Sequence, residues 1–304
     1  MNGLPARVEI VEVGPRDGLQ NEKRAVPAAT KVRFIERLAE AGLGVIEATS
    51  FVDPRWVPQL ADAEEVLAAL RKAPGVRYSA LVPNERGLDR ALAAGVKEIA
   101  IFGSATETFS RKNLNRSMRD ATEMFRPVVR RAKDAGLRVR ADLSMAFGDP
   151  WEGAVPVAQA VEAGRRLLDL GADELCVADT IGVGTAADVV GVVRGCVAAG
   201  VPLERLAVHF HDTYGQGLAN VLAALEEGVA IVDASAGGLG GCPYAKSATG
   251  NLATEDLVWM LRGLGIESGV DVTALARVSA WIAGELGHEP PGRVARALAG
   301  SSAP

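Results

Sequence analysis

The 304-residue sequence has little of what marks several classes of protein. Its three cysteines, Cys176, Cys196 and Cys242, are too few and too widely spaced for a disulfide framework, so we expect a reducing compartment. No apolar run approaches the roughly 20 residues of a membrane-spanning helix, and no apolar stretch near the start indicates a secretory signal. Lysines and arginines (33) do not outnumber aspartates and glutamates (38), so the chain lacks the basic surface that attracts nucleic acids or anionic membranes.

The composition is instead that of an ordinary folded protein. Hydrophobic residues make up 48% and charged residues 23% of the chain, which excludes an intrinsically disordered protein. The 34 glycines follow no three-residue period, which excludes a collagen. We therefore expect a soluble, cytoplasmic, globular protein that binds neither nucleic acid nor membrane.

Short β-branched segments alternate with longer helical segments along most of the sequence. We predict eight strands: Val8–Val13, Val45–Thr49, Arg77–Val82, Glu98–Phe102, Arg138–Leu143, Glu174–Ala178, Leu206–His211 and Ala230–Ala234. Each is followed by a segment of helical composition, such as Lys31–Ala41, whose apolar residues recur at helical spacing. Six glycines just before a strand are typical of helix C-termini, where glycine best takes a left-handed conformation: Gly42, Gly95, Gly136, Gly171, Gly200 and Gly228.

Eight consecutive β–α units without a linker predict an α/β fold, a closed (β/α)8 TIM barrel. An open doubly wound sheet is the alternative, but it would usually carry a Gly-x-Gly-x-x-Gly turn after its first strand, and residues 14–18 read GPRDG. We expect a single domain over residues 1–304, with the barrel at about 8–265 and extra C-terminal helices at about 266–299. The expected end of the chain comprises helices Ala274–Leu286 and Arg293–Leu298 and a disordered tail, Gly300–Pro304.

In TIM barrels the active site lies at the C-terminal ends of the strands. The seventh predicted strand reads LAVHFH and contains two of the chain's three histidines, His209 and His211. Because side chains alternate between the faces of a strand, Leu206, Val208 and Phe210 share one face and both histidines share the other. The apolar face must meet the outer helices, so the histidines point into the barrel mouth, where they can converge on one metal ion. The alternative is a pair of core histidines satisfied by polar neighbours.

Charged residues also end the first two predicted strands. In the turn GPRDGLQNE, Asp17 offers a hard oxygen ligand and Arg16 a planar cation for a carbonyl or carboxylate oxygen. Taken alone, this segment is equally typical of an ordinary turn, because Gly-Pro and Asp-Gly are turn dipeptides. Glu47 lies in the apolar second strand, and buried glutamates are rare unless paired. We expect it to pair with Arg16 and orient that side chain for a substrate; a purely structural ion pair is the alternative.

Three further residues fall near the C-terminal ends of the predicted strands. Asp179 follows the sixth predicted strand and adds a carboxylate. Cys242 lies in the segment AGGLGGCPY, which we predict to be a mobile loop, where a cysteine is not packed as a core hydrophobe. Asn251 precedes the predicted helix Thr254–Leu264, a place where asparagine most often serves as a helix N-cap.

Taken together, these residues resemble the 3-hydroxy-3-methylglutaryl-CoA lyase family, which belongs to a larger group of metal-dependent TIM barrels marked by an Asp, an Arg and a Glu. The resembling stretches span nearly the whole barrel: VEIVEVGPRDGLQNEK (8–23), GVIEATSFVDPRWVPQLAD (44–62), VADTIGVGT (177–185), VHFHDTYGQGLAN (208–220) and GGLGGCPYAKSATGNLATEDLV (237–258). Related condensing synthases share the His-x-His strand but usually open with a Thr-Leu-Arg-Asp-Gly-Glu-Gln-like turn. The turn GPRDGLQ and the Gly-Cys-Pro-Tyr segment resemble the lyases instead.

The resemblance implies a divalent metal, Mg²⁺ or Mn²⁺, held by Asp17, His209, His211 and Asn251. It implies an acyl-CoA substrate, 3-hydroxy-3-methylglutaryl-CoA, and a retro-Claisen cleavage that releases acetyl-CoA and acetoacetate. We also expect a homodimer, in which the extra C-terminal helices cover the contact surface.

The resemblance also implies catalytic roles for individual residues. Asp17 and His209 take part as metal ligands. Arg16 would stabilise the departing enolate, and Glu47 and Asp179 would orient groups or move protons. Cys242 would protonate the enolate carbon. The residues expected to bind the substrate are Arg16, Gln20, Ser50 and Thr180.

One stretch departs from the family. Where its members commonly carry a Tyr and one or two Cys after the fifth strand, residues 141–151 read ADLSMAFGDPW. The pocket near the C3 branch of the substrate is therefore expected to differ, and cleavage of a related acyl-CoA with a larger C3 substituent is the alternative function. A Claisen-condensing synthase of the same superfamily is a more distant alternative.

Two other classes of protein also fit parts of the pattern. Zinc amidohydrolases carry a His-x-His pair, but on the first strand and with further histidine ligands, whereas the third histidine here is His288, in the tail region. A non-catalytic barrel would not explain why so many metal-binding and charged groups follow the strands.

Overall fold

Eight parallel strands close into a barrel within the described part of the chain, residues 3–242 and 245–300 of a computed structural model; side chains are described for 3–241 and 250–298. The strands are β1 (Glu9–Glu12), β2 (Val45–Ser50), β3 (Arg77–Leu81), β4 (Glu98–Ser104), β5 (Arg138–Ser144), β6 (Glu174–Asp179), β7 (Leu206–Phe210) and β8 (Ile231–Ala234). Each strand pairs with its sequence neighbours, and β8 pairs with β1 to close the barrel. The predicted (β/α)8 fold is confirmed.

Helices cover the outside of the barrel. They are α1 (Ala28–Glu40), α2 (Ala63–Ala69), α3 (Glu85–Ala93), α4 (Glu107–Leu114), α5 (Met118–Asp134), α6 (Val157–Leu168), α7 (Ala186–Ala198), α8 (Gly217–Glu226) and α9 (Thr254–Gly263). The six predicted helix-ending glycines all have positive φ. The outward faces of the strands pack against these helices, as the fully buried Leu206 and Val208 of β7 show.

Two further helices follow the barrel, as predicted. They are α10 (Val272–Leu286) and α11 (Arg293–Gly300). Helix α10 packs against α1, where the guanidinium of Arg37 lies 4.3 Å from the ring centre of Trp281. Gly300, predicted to begin the disordered tail, instead ends α11, and the rest of that tail lies outside the described residues. No helix in residues 3–242 and 245–300 is both long and apolar enough to cross a membrane.

The barrel interior below the strand C-termini is charged rather than purely apolar. Near the N-terminal ends of the strands, Arg77 pairs with Glu9 and Glu98. One step further, Arg138 and Arg140 both pair with Glu174. Arg77, Glu9 and Arg138 are partly exposed, whereas Glu98, Glu174 and Arg140 are buried. Because buried charges are stable only when paired, these three depend on a connected set of ion pairs that extends toward the site.

Candidate active site

Three side chains with metal-binding groups meet at the C-terminal end of the barrel. Asp17 lies in a short π-helical turn, Gly14–Gly18, directly after β1, while His209 is in β7 and His211 follows it. One ligand atom from each of the three lies within 4.8 Å of the others. The alternation of β7 thus brings both imidazoles to the inner face, as predicted.

Asn251 joins this cluster through a hydrogen bond rather than capping a helix. Its Nδ2 donates to Asp17 Oδ2 at 2.8 Å and to the Leu239 carbonyl at 3.0 Å. The N-cap of α9 is Ala253, so Asn251 does not take the alternative role of a helix cap. Gly240, at φ 114°, approaches so closely that a Cβ there would lie 2.7 Å from Asn251 Nδ2, which makes a side chain at this position incompatible with the observed geometry.

The donor set fits a divalent cation. Asn251 Oδ1 and His211 Nδ1 are buried and have no hydrogen-bond partner among the described residues, an arrangement that is costly unless a ligand satisfies them. Burial lowers the pKa of His211 to about 3, so its imidazole is neutral and able to ligate. A carboxylate, an amide oxygen and two imidazoles together suit a metal such as Mg²⁺ or Mn²⁺. The family-level expectation of divalent-metal dependence agrees with this geometry.

Arg16 is fixed beside the cluster by two carboxylates. Its Nε donates to Glu47 Oε2 at 2.6 Å and its Nη1 donates to Asp17 Oδ1 at 2.8 Å, so the predicted pairing of Arg16 with Glu47 is present. No described residue accepts a hydrogen bond from the third nitrogen, Nη2, and the side chain is 12% exposed. One edge of a rigid, planar cation is therefore left for a ligand oxygen.

The carboxyl groups of the site titrate in very different ranges. Burial opposes ionisation of Asp17, but the charge of Arg16, together with the two histidines, which are protonated at the low pH where Asp17 titrates, holds its pKa at about 2. Burial raises the pKa of Glu47 to about 7, against the opposing effect of Arg16, and raises that of Asp179 to about 6. Asp17 is thus a permanent anion suited to a cation, whereas Glu47 and Asp179 can exchange a proton near neutral pH.

Asp179 and the residues expected to bind substrate also lie at this end of the barrel. The two carboxylate oxygens of Asp179 accept the backbone N–H groups of Val183 and Gly184. Gln20 donates to Asp17 at 3.3 Å. The hydroxyls of Ser50 and Thr180 accept the backbone N–H groups of Val52 and Met145, respectively. Each of these four side chains, Asp179, Gln20, Ser50 and Thr180, therefore also forms hydrogen bonds that stabilise this end of the barrel.

The segment before Cys242, predicted to be a mobile loop, contains short elements of regular backbone structure. Ala236–Gly238 form a 3-10 turn, and Gly241–Cys242 pair with Ala245–Thr249 in a short antiparallel hairpin. The side chain of Cys242 lies outside the described residues. Its role therefore stays a prediction.

Sequence reasoning missed two buried glutamates that hold this turn. Glu12 of β1 accepts the N–H groups of Gly14 and Ala236, and Glu255 accepts that of Gly237. Burial raises the pKa of both carboxyl groups to about 7. Glu12 lies in an apolar strand, as Glu47 does, so the signal that identified Glu47 was available for it too.

The comparisons with known proteins match this geometry. The sequence model of the HMGL-like family matches residues 7–282. The chain belongs to this family. It is 51% identical over 300 residues to mitochondrial hydroxymethylglutaryl-CoA lyase of Rattus norvegicus, covering 98% of this chain and 91% of the relative. The family and the enzyme class predicted from the sequence, a carbon–carbon lyase, are confirmed.

A relative and a solved structure, both from Pseudomonas aeruginosa, are similarly close to this chain. The chain is 50% identical over 295 residues to 3-hydroxy-3-isohexenylglutaryl-CoA/hydroxy-methylglutaryl-CoA lyase of Pseudomonas aeruginosa, covering 97% of this chain and 98% of the relative. The fold of this chain matches the crystal structure of hydroxymethylglutaryl-CoA lyase from the same species with a TM-score of 0.95 and 49% identity. The match covers 98% of this chain and 99% of that structure.

Proposed function

We propose that this chain cleaves 3-hydroxy-3-methylglutaryl-CoA to acetyl-CoA and acetoacetate in a divalent-metal-dependent retro-Claisen reaction. The observation that carries the proposal is the convergence of Asp17, His209 and His211 beside an arginine that two carboxylates hold in place. The close relatives whose names include hydroxymethylglutaryl-CoA lyase support the choice of substrate.

Asp17, His209, His211 and Asn251 would hold the metal, Mg²⁺ or Mn²⁺. When bound, such a cation acts as a Lewis acid that lowers the pKa of a substrate hydroxyl. The residues around it prepare the site: Arg16 keeps Asp17 ionised, and Asn251 Oδ1, which is buried without a partner among the described residues, supplies a neutral oxygen ligand.

Arg16 and Glu47 would carry the charge and proton changes of the cleavage. The open Nη2 edge of Arg16 can donate to the thioester enolate oxygen as negative charge develops there. Glu47 Oε1 is buried without a described partner, and the pKa of this carboxyl lies at about 7. Both oxygens of Asp179 are occupied by backbone N–H groups, so Glu47 is the better placed of the two to take up a proton.

Substitution Arg16→Lys tests the role of the guanidinium. A lysine keeps the positive charge but cannot hold Glu47 and Asp17 in a planar arrangement while donating to a third oxygen. We expect kcat to fall by about 10²-fold or more while metal affinity changes little, as steady-state kinetics and metal titration measure. The exposed Arg71→Lys, at a surface ion pair with Glu36, is the matched control. A normal kcat with only a raised KM would mean that Arg16 merely binds substrate.

The function itself is tested by measuring acetyl-CoA release from 3-hydroxy-3-methylglutaryl-CoA. We expect release with Mg²⁺ or Mn²⁺, loss after dialysis against a chelator, and recovery when the metal is restored. Comparing the two metals in that recovery shows which one supports faster turnover. Absence of acetyl-CoA with every divalent metal would contradict the proposed reaction.

A larger substituent at C3 of the substrate is the second candidate. It is favoured by the Pseudomonas aeruginosa relative whose name includes 3-hydroxy-3-isohexenylglutaryl-CoA, and by the segment after β5, which departs from the family pattern. The same assay with both acyl-CoA compounds, compared by kcat/KM, decides between them, since this ratio reports transition-state discrimination.

We also propose a homodimer and a cytoplasmic location. The support for both is the sequence reasoning given above, namely the extra C-terminal helices for the dimer and the small number of cysteines for a reducing compartment. Light scattering of the purified chain gives the number of protomers, and fractionation of the source cells gives the compartment.

A further inference from the structure

One of the two histidines is backed by a carboxylate, and the other has no such partner in the described part of the chain. His209 Nδ1 lies 3.2 Å from Asp233 Oδ2, and Asp233 is the register partner of His209 across β7 and β8. His211 Nδ1, by contrast, is buried with no partner among the described residues. The Nδ1 atoms of the two imidazoles therefore differ in their hydrogen-bond partners.

Asp233 is itself held by an arginine from the far side of the barrel. Arg140 is in β5, and β6 and β7 separate that strand from β8 around the barrel. Its Nη2 nevertheless reaches both carboxylate oxygens of Asp233, at 2.6 and 2.7 Å. Cys176 Sγ adds a contact to Asp233 Oδ2 at 3.7 Å. The carboxylate is thus held by Arg140 and Cys176 in addition to its contact with His209.

Arg140 has no freedom to leave this position. Its Nε donates to Asp142 at 2.9 Å and its Nη1 lies 3.0 Å from Glu174. Each of the three guanidinium nitrogens is therefore paired with a different carboxylate. The side chains of Arg140, Asp233 and Glu174 are at most 7% exposed, so each lost pairing would leave a buried charge uncompensated.

We propose that Asp233, clamped by Arg140, fixes the His209 imidazole with its proton on Nδ1, so that Nε2 presents its lone pair to the cluster formed with Asp17. Asp233 and Arg140 are then positioning residues that act through His209. A carboxylate behind a ligating histidine sets its ring orientation and makes it a stronger ligand, and loss of such a partner typically weakens metal binding about 10–100-fold. His211 Nδ1 has no such carboxylate behind it among the described residues.

The protonation of His209 can be read without metal or substrate. The chain has three histidines, so a long-range ¹H–¹⁵N spectrum of the chelator-treated protein is simple, and His209→Gln identifies the His209 signals by their loss. In a spectrum recorded at a pH high enough for the imidazole to be neutral, we expect His209 with the proton on Nδ1 and a bare Nε2. A proton on Nε2 instead would overturn the proposal. Because the protein is free of metal and substrate, this result does not depend on whether it cleaves 3-hydroxy-3-methylglutaryl-CoA.

Metal binding supplies the second measurement. Asp233→Asn keeps the size of the side chain and removes its charge, so we expect the Kd for Mn²⁺, measured by calorimetry, to rise about 10–100-fold. The matched control is Glu98→Gln, which removes a carboxylate that is equally buried in the barrel interior but paired with Arg77 and Arg138. Its Kd for Mn²⁺ should stay at the wild-type value.

Three results would contradict the proposed role. They are unchanged Mn²⁺ affinity in Asp233→Asn, an equal loss of affinity in Glu98→Gln, and an unaltered His209 signal in Asp233→Asn. If Asp233→Asn fails to fold, Arg140→Lys replaces it, because it retains the charge but has one nitrogen in place of the three that contact different carboxylates. That variant should weaken Mn²⁺ binding and alter the His209 signal, and wild-type behaviour in both would reject the clamp.

Discussion

Replacing either His209 or His211 with alanine should abolish tight binding of a divalent metal and reduce turnover to an undetectable level. Each substitution removes one of two imidazoles that converge with a carboxylate within 4.8 Å, and three or four ligands act together to hold such an ion. The barrel should still fold, because Leu206, Val208 and Phe210 on the other face of β7 are unchanged. The measurements are metal content after dialysis, turnover, and the circular dichroism spectrum.

The third histidine provides the control for this experiment. His288 is on the chain segment after α10, 38% exposed, with Nε2 3.5 Å from Glu22. His288→Ala should therefore retain wild-type metal content and turnover. Full activity in either site variant, or in the wild type after complete chelation, would rule out the metal assignment.

Local periodicity explains why much of the fold and part of the site were predictable. A period of two residues places His209 and His211 on one face of β7, and it holds whatever the rest of the chain does. In the same way, a glutamate inside an apolar strand requires a partner, and Arg16 was the cation at the matching end of the neighbouring strand. Predictions of this kind depend on a few adjacent residues and on the fixed direction of parallel strands.

Contacts across the barrel were not predictable in this way. Arg140 and Asp233 are 93 residues apart in sequence, and their contact depends on how the strands are staggered when the barrel closes. Asn251 shows the same limit, because its position before α9 is equally compatible with a helix cap. The approach of Gly240 and the carboxylate of Asp17 decide its role, and both are fixed only by the complete fold.

The proton donor to the enolate carbon is the part of the reaction that is tested most directly by substitution. Cys242 follows the turn Ala236–Gly238, which the buried carboxyl groups of Glu12 and Glu255 hold against the barrel. A free thiol has a pKa near about 8.5, so it is mostly protonated at neutral pH and can donate a proton, whereas a serine hydroxyl is a far weaker acid. The glycines around the cysteine are expected to let the segment close over bound substrate and exclude water.

Cys242→Ser should therefore bind metal and substrate normally but turn over about 10²–10⁴-fold more slowly, as kcat and metal titration measure. A thiol reagent should inactivate the wild type, and a bound substrate analogue should slow that reaction. The other two cysteines are poor competitors for the reagent, because both are buried and burial raises the pKa of Cys196 to about 11 and that of Cys176 well above its usual value. Cys196→Ala is accordingly the control and should keep both its kcat and its sensitivity to the reagent. A near-normal kcat in Cys242→Ser would assign the proton transfer to another group and leave this cysteine as a residue of the hairpin alone.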